Sequence, residues 1–192
     1  MKVKPPLAER QQKASFKRLF IPLFLAFILI LSVFGYIFAG KSSNDDTSQY
    51  QGYSFTKTSQ GWKLISAGKT YFFYSLPDQL HDIPLAPLPS ASKFYISGQD
   101  ISFFSSLPYR ELTLNLGNAI KLQPACAQDS PGCETYPLKT CADATSNAPV
   151  LVYLYAEKSS LEQKENCLQI QGTTDDMIRI TDAIILHSLG VL

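Results

Sequence analysis

The longest apolar run of the chain lies near its N-terminus, over residues 19–39. It reads LFIPLFLAFILILSVFGYIFA and contains 21 residues without a charged side chain. As a helix rising about 1.5 Å per residue it would be about 32 Å long, enough to cross the ~30 Å hydrocarbon core of a bilayer. Backbone N–H and C=O groups in that layer must bond to each other, and a helix achieves this within one segment. The pattern predicts a transmembrane helix over residues 19–39.

The charged residues on either side of this run predict its orientation. Residues 1–18 carry six basic side chains and one acidic side chain, whereas one base and two acids follow within residues 41–46. Positive flanks stay on the cytoplasmic side. We therefore expect a basic cytoplasmic tail over residues 1–18, a single-pass signal anchor in the cell membrane, and an extracytoplasmic C-terminal part.

A cleaved signal peptide is the alternative interpretation of the same run. The apolar core of a signal peptide is usually about 7–15 residues long and ends in an A-x-A-like site. The run here is longer, and bulky Ile37 and Phe38 precede Ala39. Both features favour an uncleaved anchor.

The pattern after the anchor predicts a linker and then a series of short strands. Residues 40–50 are polar without an apolar period and are typical of a linker, which leaves residues 51–192 as one extracytoplasmic domain. Its first part, residues 52–75, contains three β-type runs broken at turn-forming residues, as expected for a meander. Two further β-type runs are Lys93–Ile96 and Ile101–Phe104.

The last third of the chain combines strands with a terminal helix. Residues 149–156 and 166–172 read as strands joined by a polar connection. Thr173 and Asp176 have the spacing of a capping box, and Gly190 stands where a helix C-terminus is expected. Residues 109–117 fit either a strand or a helix, and we favour a helix. The pattern predicts a small α+β domain of antiparallel strands with a C-terminal helix packed on the sheet.

Four cysteines in this domain predict disulfide bonds. Cys126, Cys133, Cys141 and Cys167 have the spacing C-x6-C-x7-C-x25-C, which lacks the close pairs of structural zinc sites and the C-x-x-C of thiol redox centres. An even number of cysteines outside the cytosol is typical of disulfides. Four cysteines allow three pairings. We favour Cys126–Cys133, across a Ser-Pro-Gly turn, and Cys141–Cys167.

Charge and motifs exclude several classes of function. After residue 18 the chain has 11 basic and 15 acidic side chains, and it has no basic patch, so we expect no binding to nucleic acid. The nucleophile, metalloprotease and phosphate-loop motifs are absent from the sequence. The sequence therefore nominates no catalytic residue, no cofactor-binding residue, no metal ligand and no cofactor.

One strand suggests a contact with another protein. Tyr71, Phe72, Phe73 and Tyr74 are apolar on both faces of a predicted strand, but one terminal helix covers only one face of a small sheet. Either Phe72 and Tyr74 or Tyr71 and Phe73 are then partly exposed, and an exposed apolar patch generally marks an interaction site. We predict a protein partner, or self-association, through this aromatic face, in addition to the lipid bilayer around residues 19–39.

The domain also resembles a group of archaeal single-span membrane proteins that have a cysteine-containing extracytoplasmic domain. The residues that carry the resemblance are an Asn-Cys-apolar strand ending in Gly, a final helix closing in Leu-Gly, and the hairpin around Trp62; they include Asn166, Cys167, Leu168, Ile170, Gly172, Leu189 and Gly190. The resemblance implies no particular activity.

Two classes of function remain open from the sequence. The first is a membrane-anchored extracytoplasmic binding or structural module, such as an accessory subunit of a cell-envelope complex. The second is a membrane-tethered enzyme, a hydrolase or thiol oxidoreductase, whose site is assembled from residues distant in sequence. Free thiols would favour an oxidoreductase, and a polar cleft with a perturbed titratable group would favour a hydrolase.

Overall fold

The computed structural model describes residues 22–31 and 46–192. Residues 22–31 are helical (α1), and Asp45–Leu192 forms a separate compact unit, the C-terminal domain. Within the two described ranges, no helix is both long enough and apolar enough to cross a membrane. The predicted tail 1–18 and most of the predicted transmembrane helix 19–39 lie outside the described residues, so both stay predictions.

The first sheet of the C-terminal domain is an antiparallel meander with the strand order β1-β2-β3-β4. Two of its three turns use backbone conformations with positive φ at both central residues, Gln51 and Gly52 in one and Ala67 and Gly68 in the other. Such two-residue turns match the twist of the strands that they join. The predicted meander over residues 52–75 is confirmed. The strands are β1 (Thr47–Tyr50), β2 (Tyr53–Thr58), β3 (Gly61–Ser66) and β4 (Lys69–Phe73).

The second sheet has five strands in the order β6-β5-β7-β9-β8. Four of them are parallel, and only β8 runs antiparallel to its neighbour β9. The chain returns from β5 to β6 through helix α2, a connection that keeps neighbouring strands parallel. The strands are β5 (Lys93–Gly98), β6 (Lys121–Cys126), β7 (Val150–Tyr155), β8 (Ser160–Lys164) and β9 (Cys167–Gly172).

Two helices complete an α+β domain. Helix α2 (Leu107–Leu116) and helix α3 (Thr174–Ser188) pack against each other, and α3 also contacts β9. The Thr173 hydroxyl accepts a hydrogen bond from the Asp176 N–H, and the Asp176 carboxylate accepts one from the Thr173 N–H. This reciprocal capping begins α3 as the sequence predicts, and Gly190 follows its end with a φ of 70°.

The two faces of the second sheet are covered differently. On one face, its side chains share a core with those of both helices and of the first sheet. The fully buried side chains of this core include Phe55, Phe73, Ile96, Leu112, Tyr153, Ile170 and Ile184. The opposite face buries Val150, Val152 and Cys167 under residues of the irregular segment 127–148, among them Ala127 and Ala144. This segment has little secondary structure of its own, so the disulfides hold it on the sheet.

Both disulfides form as predicted, Cys126–Cys133 and Cys141–Cys167. The first closes a local loop that starts at the end of β6. The second ties the irregular segment to the first residue of β9, where Cys167 is buried. All four cysteines of the chain are therefore paired.

The structure differs from the sequence-based predictions in several elements. Thr47–Tyr50 belongs to the domain rather than to the linker, because its backbone pairs with β2 although its side chains are mostly polar. Residues Ile101–Ser105 form a short 3-10 helix instead of a strand, and the Asp100 side chain caps it by accepting a hydrogen bond from the Ser102 N–H. Antiparallel pairing is confirmed in the first sheet, whereas the second sheet is mainly parallel. The crossover through α2 accounts for the parallel β5–β6 pair.

Removing the Cys141–Cys167 disulfide by a double alanine substitution should destabilise the C-terminal domain by about 3.5 kcal/mol, since the bond closes a long loop in the unfolded chain. The matched pair Cys126→Ala and Cys133→Ala closes a shorter loop and should cost about 2.4 kcal/mol on the same chain-entropy argument. Urea unfolding of residues 45–192 measures both. A smaller loss for the Cys141–Cys167 pair than for the other pair would contradict the expectation.

Candidate functional site

An asparagine side chain closes the edge of the first sheet. The Phe72 N–H of edge strand β4 donates to the Asn115 Oδ1, and the Asn115 Nδ2 donates back to the Phe72 carbonyl, both at 2.9 Å. The amide side chain thus occupies the hydrogen-bonding place of a further strand. Because Asn115 is near the end of α2, these two bonds hold the helix alongside β4.

A buried aspartate fixes the end of the same strand to the other helix. Asp182 of α3 is fully buried. Its Oδ2 accepts hydrogen bonds from the Ser75 N–H at 2.7 Å and from the Tyr74 N–H at 3.1 Å. A carboxylate that receives backbone N–H donors is stabilised in its charged form, so these bonds favour an ionised Asp182.

Glu111 of α2 lies beside Asp182 and has no such donors. It is 4 % exposed, and neither carboxyl oxygen accepts a hydrogen bond from an N–H or O–H group of the described residues. Burial, a hydrogen bond to Asp182 and the charge of Asp182 all raise the pKa of Glu111 far above its usual range. Burial also raises the pKa of Asp182, against the hydrogen bonds that it accepts.

The contrast between the two carboxyl groups assigns the proton. Two neighbouring carboxyl groups in a buried site cannot both be ionised at neutral pH. Glu111 lacks donors and Asp182 has two, so Glu111 is the carboxyl group that holds the proton. A protonated carboxyl group is thereby held at the junction of both helices and β4.

A buried tyrosine extends this polar cluster into the core. The Tyr153 hydroxyl and the Thr181 Oγ1 are 3.0 Å apart, and both residues are fully buried. Burial raises the pKa of Tyr153, and the nearby Glu111 carboxyl adds to the shift. Tyr153 is therefore a neutral hydroxyl that links β7 to α3.

A surface pocket opens above Glu111, between β4 and α2. Its volume is about 130 Å³. Four apolar side chains line the pocket and are also exposed to solvent; their exposed fractions are Phe72 43 %, Tyr74 42 %, Leu107 39 % and Leu114 58 %. Polar groups complete the lining at Gln60, Arg110, Glu111 and Asn115.

The structure places the predicted aromatic residues on opposite sides of β4. Tyr71 and Phe73 are buried in the core, whereas Phe72 and Tyr74 are exposed and line the pocket. The predicted disulfide cysteines are not among the residues that line it.

Sequence reasoning missed the carboxyl pair. One signal was available: on a helix, Asp182 shares a face with Ile178 and Ile185, at spacings of four and three residues, and both are buried. An acid on an apolar face indicates a buried carboxyl group. Nothing in the sequence pairs it with Glu111.

Comparisons with known proteins identify no relative. No protein-family model, no curated protein and no solved structure matches the chain. The resemblance to archaeal single-span membrane proteins stays a prediction.

Proposed function

We propose that this protein is a membrane-anchored extracytoplasmic binding module and that its C-terminal domain binds a protein partner through the pocket between β4 and α2. The observation that carries the proposal is the pocket rim, where Phe72, Tyr74, Leu107 and Leu114 expose apolar surface around one depression. Contiguous exposed apolar surface of this kind generally marks an interaction site. Aromatic residues are also enriched at the energetic centres of protein interfaces.

The size of the pocket favours a side chain of a partner over a metabolite. Sites for small molecules usually occupy about 300–1,000 Å³ and bury most of the ligand, whereas this pocket holds about 130 Å³. One apolar side chain fits such a volume. A protein segment inserts that side chain and covers the surrounding rim.

The positive charge of Arg110 at the pocket adds a second requirement for the partner. Arg110 is exposed at the pocket and forms no ion pair or side-chain hydrogen bond with the described residues. Glu111, the only acid of the lining, is protonated and does not neutralise it. An acidic group next to the inserted side chain therefore complements the pocket.

The membrane anchor and the disulfides support the location in this proposal. The charge-free run over residues 19–39 has the length of a membrane span and follows a strongly basic tail. Paired cysteines persist in oxidising compartments, and all four cysteines here are paired. Both features favour a single-pass protein with a cytoplasmic N-terminus.

The double substitution Phe72→Ser and Tyr74→Ser should weaken partner association about thirtyfold or more, the effect of losing a hot spot of about 2 kcal/mol. The free energy of unfolding should change by less than about 1.5 kcal/mol, because both side chains are half-exposed. Cross-linking of the full chain in its own membrane, followed by quantification of the cross-linked partner, measures association. Sedimentation of residues 45–192 tests whether the partner is a second copy.

The control is the double substitution Leu138→Ser and Tyr155→Ser, which removes a similar amount of exposed apolar surface (51 % and 38 % exposed) away from the pocket. It should leave association unchanged. If Phe72→Ser and Tyr74→Ser lower the free energy of unfolding by several kcal/mol and leave association per folded molecule unchanged, these side chains are core residues and the proposal fails.

A hydrolase is the second candidate, because a protonated carboxyl group with a strongly raised pKa lines the pocket. The Asp182 carboxylate already accepts hydrogen bonds from two backbone N–H groups, and most of the pocket lining is apolar. Both features count against a hydrolytic site. A thiol oxidoreductase has no support, since no cysteine is free. Any hydrolytic activity that Glu111→Gln abolishes in a folded protein would place the hydrolase first.

A further inference from the structure

A cluster of lysines surrounds one tyrosine on the second sheet, on the face that carries the disulfide-tied segment. The Lys93 Nζ donates to the Tyr95 hydroxyl at 2.8 Å and lies 4.2 Å from the ring centroid. The Lys139 Nζ lies 5.3 Å from the centroid of the same ring. The hydrogen bond from Lys93 lowers the pKa of Tyr95, and the positive charge of Lys121 adds to the lowering.

The register of the sheet places like charges side by side. Lys93 of β5 is directly opposite Lys121 of the parallel edge strand β6. Like charges in opposed positions destabilise a sheet. Neither lysine forms an ion pair within the described part of the chain, and Asp143, 3.7 Å from Lys139, is the single acid that neutralises any member of the cluster there.

The backbone holds the third lysine in place. The Lys139 N–H donates to the Cys126 carbonyl at 2.8 Å, and the Lys139 carbonyl accepts from the Ser97 hydroxyl at 2.5 Å. Cys126 and Cys141, on either side of it in sequence, are both in disulfides. The backbone of Lys139 is therefore held by the covalently tied segment, which places its side chain beside Tyr95.

We propose that Lys93, Lys121 and Lys139, together with the Tyr95 hydroxyl, form a binding site for a phosphate group. A doubly charged oxyanion removes the repulsion between the lysines and accepts a charge-assisted hydrogen bond from each ammonium group. The chain after residue 18 has more acids than bases. The local excess of positive charge at these lysines therefore favours an anionic ligand. The phosphate belongs either to a free phosphate ester or to a lipid headgroup.

Thermal unfolding of the full chain in a neutral detergent tests the site, with inorganic phosphate as the probe and sodium chloride at equal ionic strength as the reference. Phosphate should raise the unfolding midpoint in a saturable way, because a ligand that binds the folded state stabilises it. In Lys93→Gln and Lys121→Gln, phosphate should bind about tenfold more weakly, as expected for the loss of one charge-assisted contact. Lys93→Arg keeps the charge and should retain more of the response than Lys93→Gln.

Lys69→Gln is the matched control, because Lys69 is an exposed lysine at the start of β4. Phosphate also stabilises proteins by exclusion from their surface, but that effect is the same in every variant, so only the difference between variants measures the site. An equal response of wild type, Lys93→Gln, Lys121→Gln and Lys69→Gln overturns the proposal.

The source of the phosphate is decided with the full chain in phosphatidylcholine nanodiscs with and without phosphatidic acid. If phosphatidic acid removes the response to added phosphate in wild type but leaves Lys93→Gln unaffected, a lipid headgroup fills the site. If the response is the same in both discs, the ligand is a soluble phosphate ester.

Discussion

Replacing Asp182 with alanine should lower the free energy of unfolding of the C-terminal domain by more than about 3 kcal/mol, because it removes the acceptor of several buried donors at once. The Tyr74 and Ser75 N–H groups lose the carboxylate that binds them, and the buried Glu111 loses its hydrogen-bonding partner. Each unsatisfied buried group costs about 1–3 kcal/mol. A domain of this size is usually stable by only about 5–15 kcal/mol, so a large share of its stability is expected to depend on this one side chain.

Two further variants separate the hydrogen bonds of Asp182 from a general effect of removing an acid. Asp182→Asn keeps an oxygen that can accept from the Ser75 N–H, so it should destabilise the domain less than alanine does. Asp175→Ala removes an exposed acid at the start of the same helix and should cost less than about 1 kcal/mol. Urea unfolding of residues 45–192 measures all three. Equal losses for Asp182→Ala and Asp175→Ala would show that the buried bonds contribute little.

The stability of the C-terminal domain should fall as the pH rises from 5 to 8, and Glu111→Gln should remove most of this dependence. Folding raises the pKa of Glu111, whereas an unfolded glutamate has a pKa of about 4.3. Between the unfolded pKa and the raised folded pKa, Glu111 holds a proton in the folded state that it releases in the unfolded state. The stabilisation is therefore complete below the unfolded pKa and is lost progressively as the pH rises, by up to about 1.4 kcal/mol per pH unit.

Asp182 contributes in the same direction, because its pKa is raised as well. Glutamine cannot ionise and still carries N–H donors for the Asp182 carboxylate. Glu111→Gln should therefore be more stable than wild type at pH 8, and the difference should shrink towards pH 5. Urea unfolding of residues 45–192 at several pH values measures the slope. A wild-type stability that rises over this range would mean that Glu111 is ionised in the folded domain.

Some elements were predictable because a local signal determines them. The meander follows from turn residues such as Gly61 and Gly68, and α3 follows from the reciprocal cap of Thr173 and Asp176. The cysteine pairing was predictable in part because the Ser-Pro-Gly turn brings Cys126 and Cys133 together. In each case the residues that specify the structure are close in sequence.

Other elements depend on contacts between distant parts of the chain. Pro124 makes β6 look unlike a strand, yet on an edge strand its missing N–H is tolerated. The polar residues of β8 gave no apolar period, and the strand forms through its pairing with β9. The run Val150–Tyr155 could have indicated a parallel strand, since strands buried on both faces read as continuous apolar runs.

The candidate site contains residues that a local signal predicts and residues that only distant contacts place there. Phe72 and Tyr74 were predictable as one of two alternatives, because side chains alternate along a strand. The choice between the alternatives required the position of the helices. Arg110, Glu111 and Asn115 reach the pocket only because α2 runs along β4, and no pattern in the sequence specifies that packing.

The connectivity of the two disulfides has a consequence for the biogenesis of the domain. Each cysteine is paired with its nearest available neighbour in sequence, Cys126 with Cys133 and then Cys141 with Cys167. Because the chain is synthesised from its N-terminus, Cys126 and Cys133 are both present before Cys141 is added. These two thiols can then be oxidised before the third is available. Cys141 then remains unpaired until Cys167 is synthesised. Oxidation in the order of synthesis yields the native pairs without any reshuffling by a disulfide isomerase.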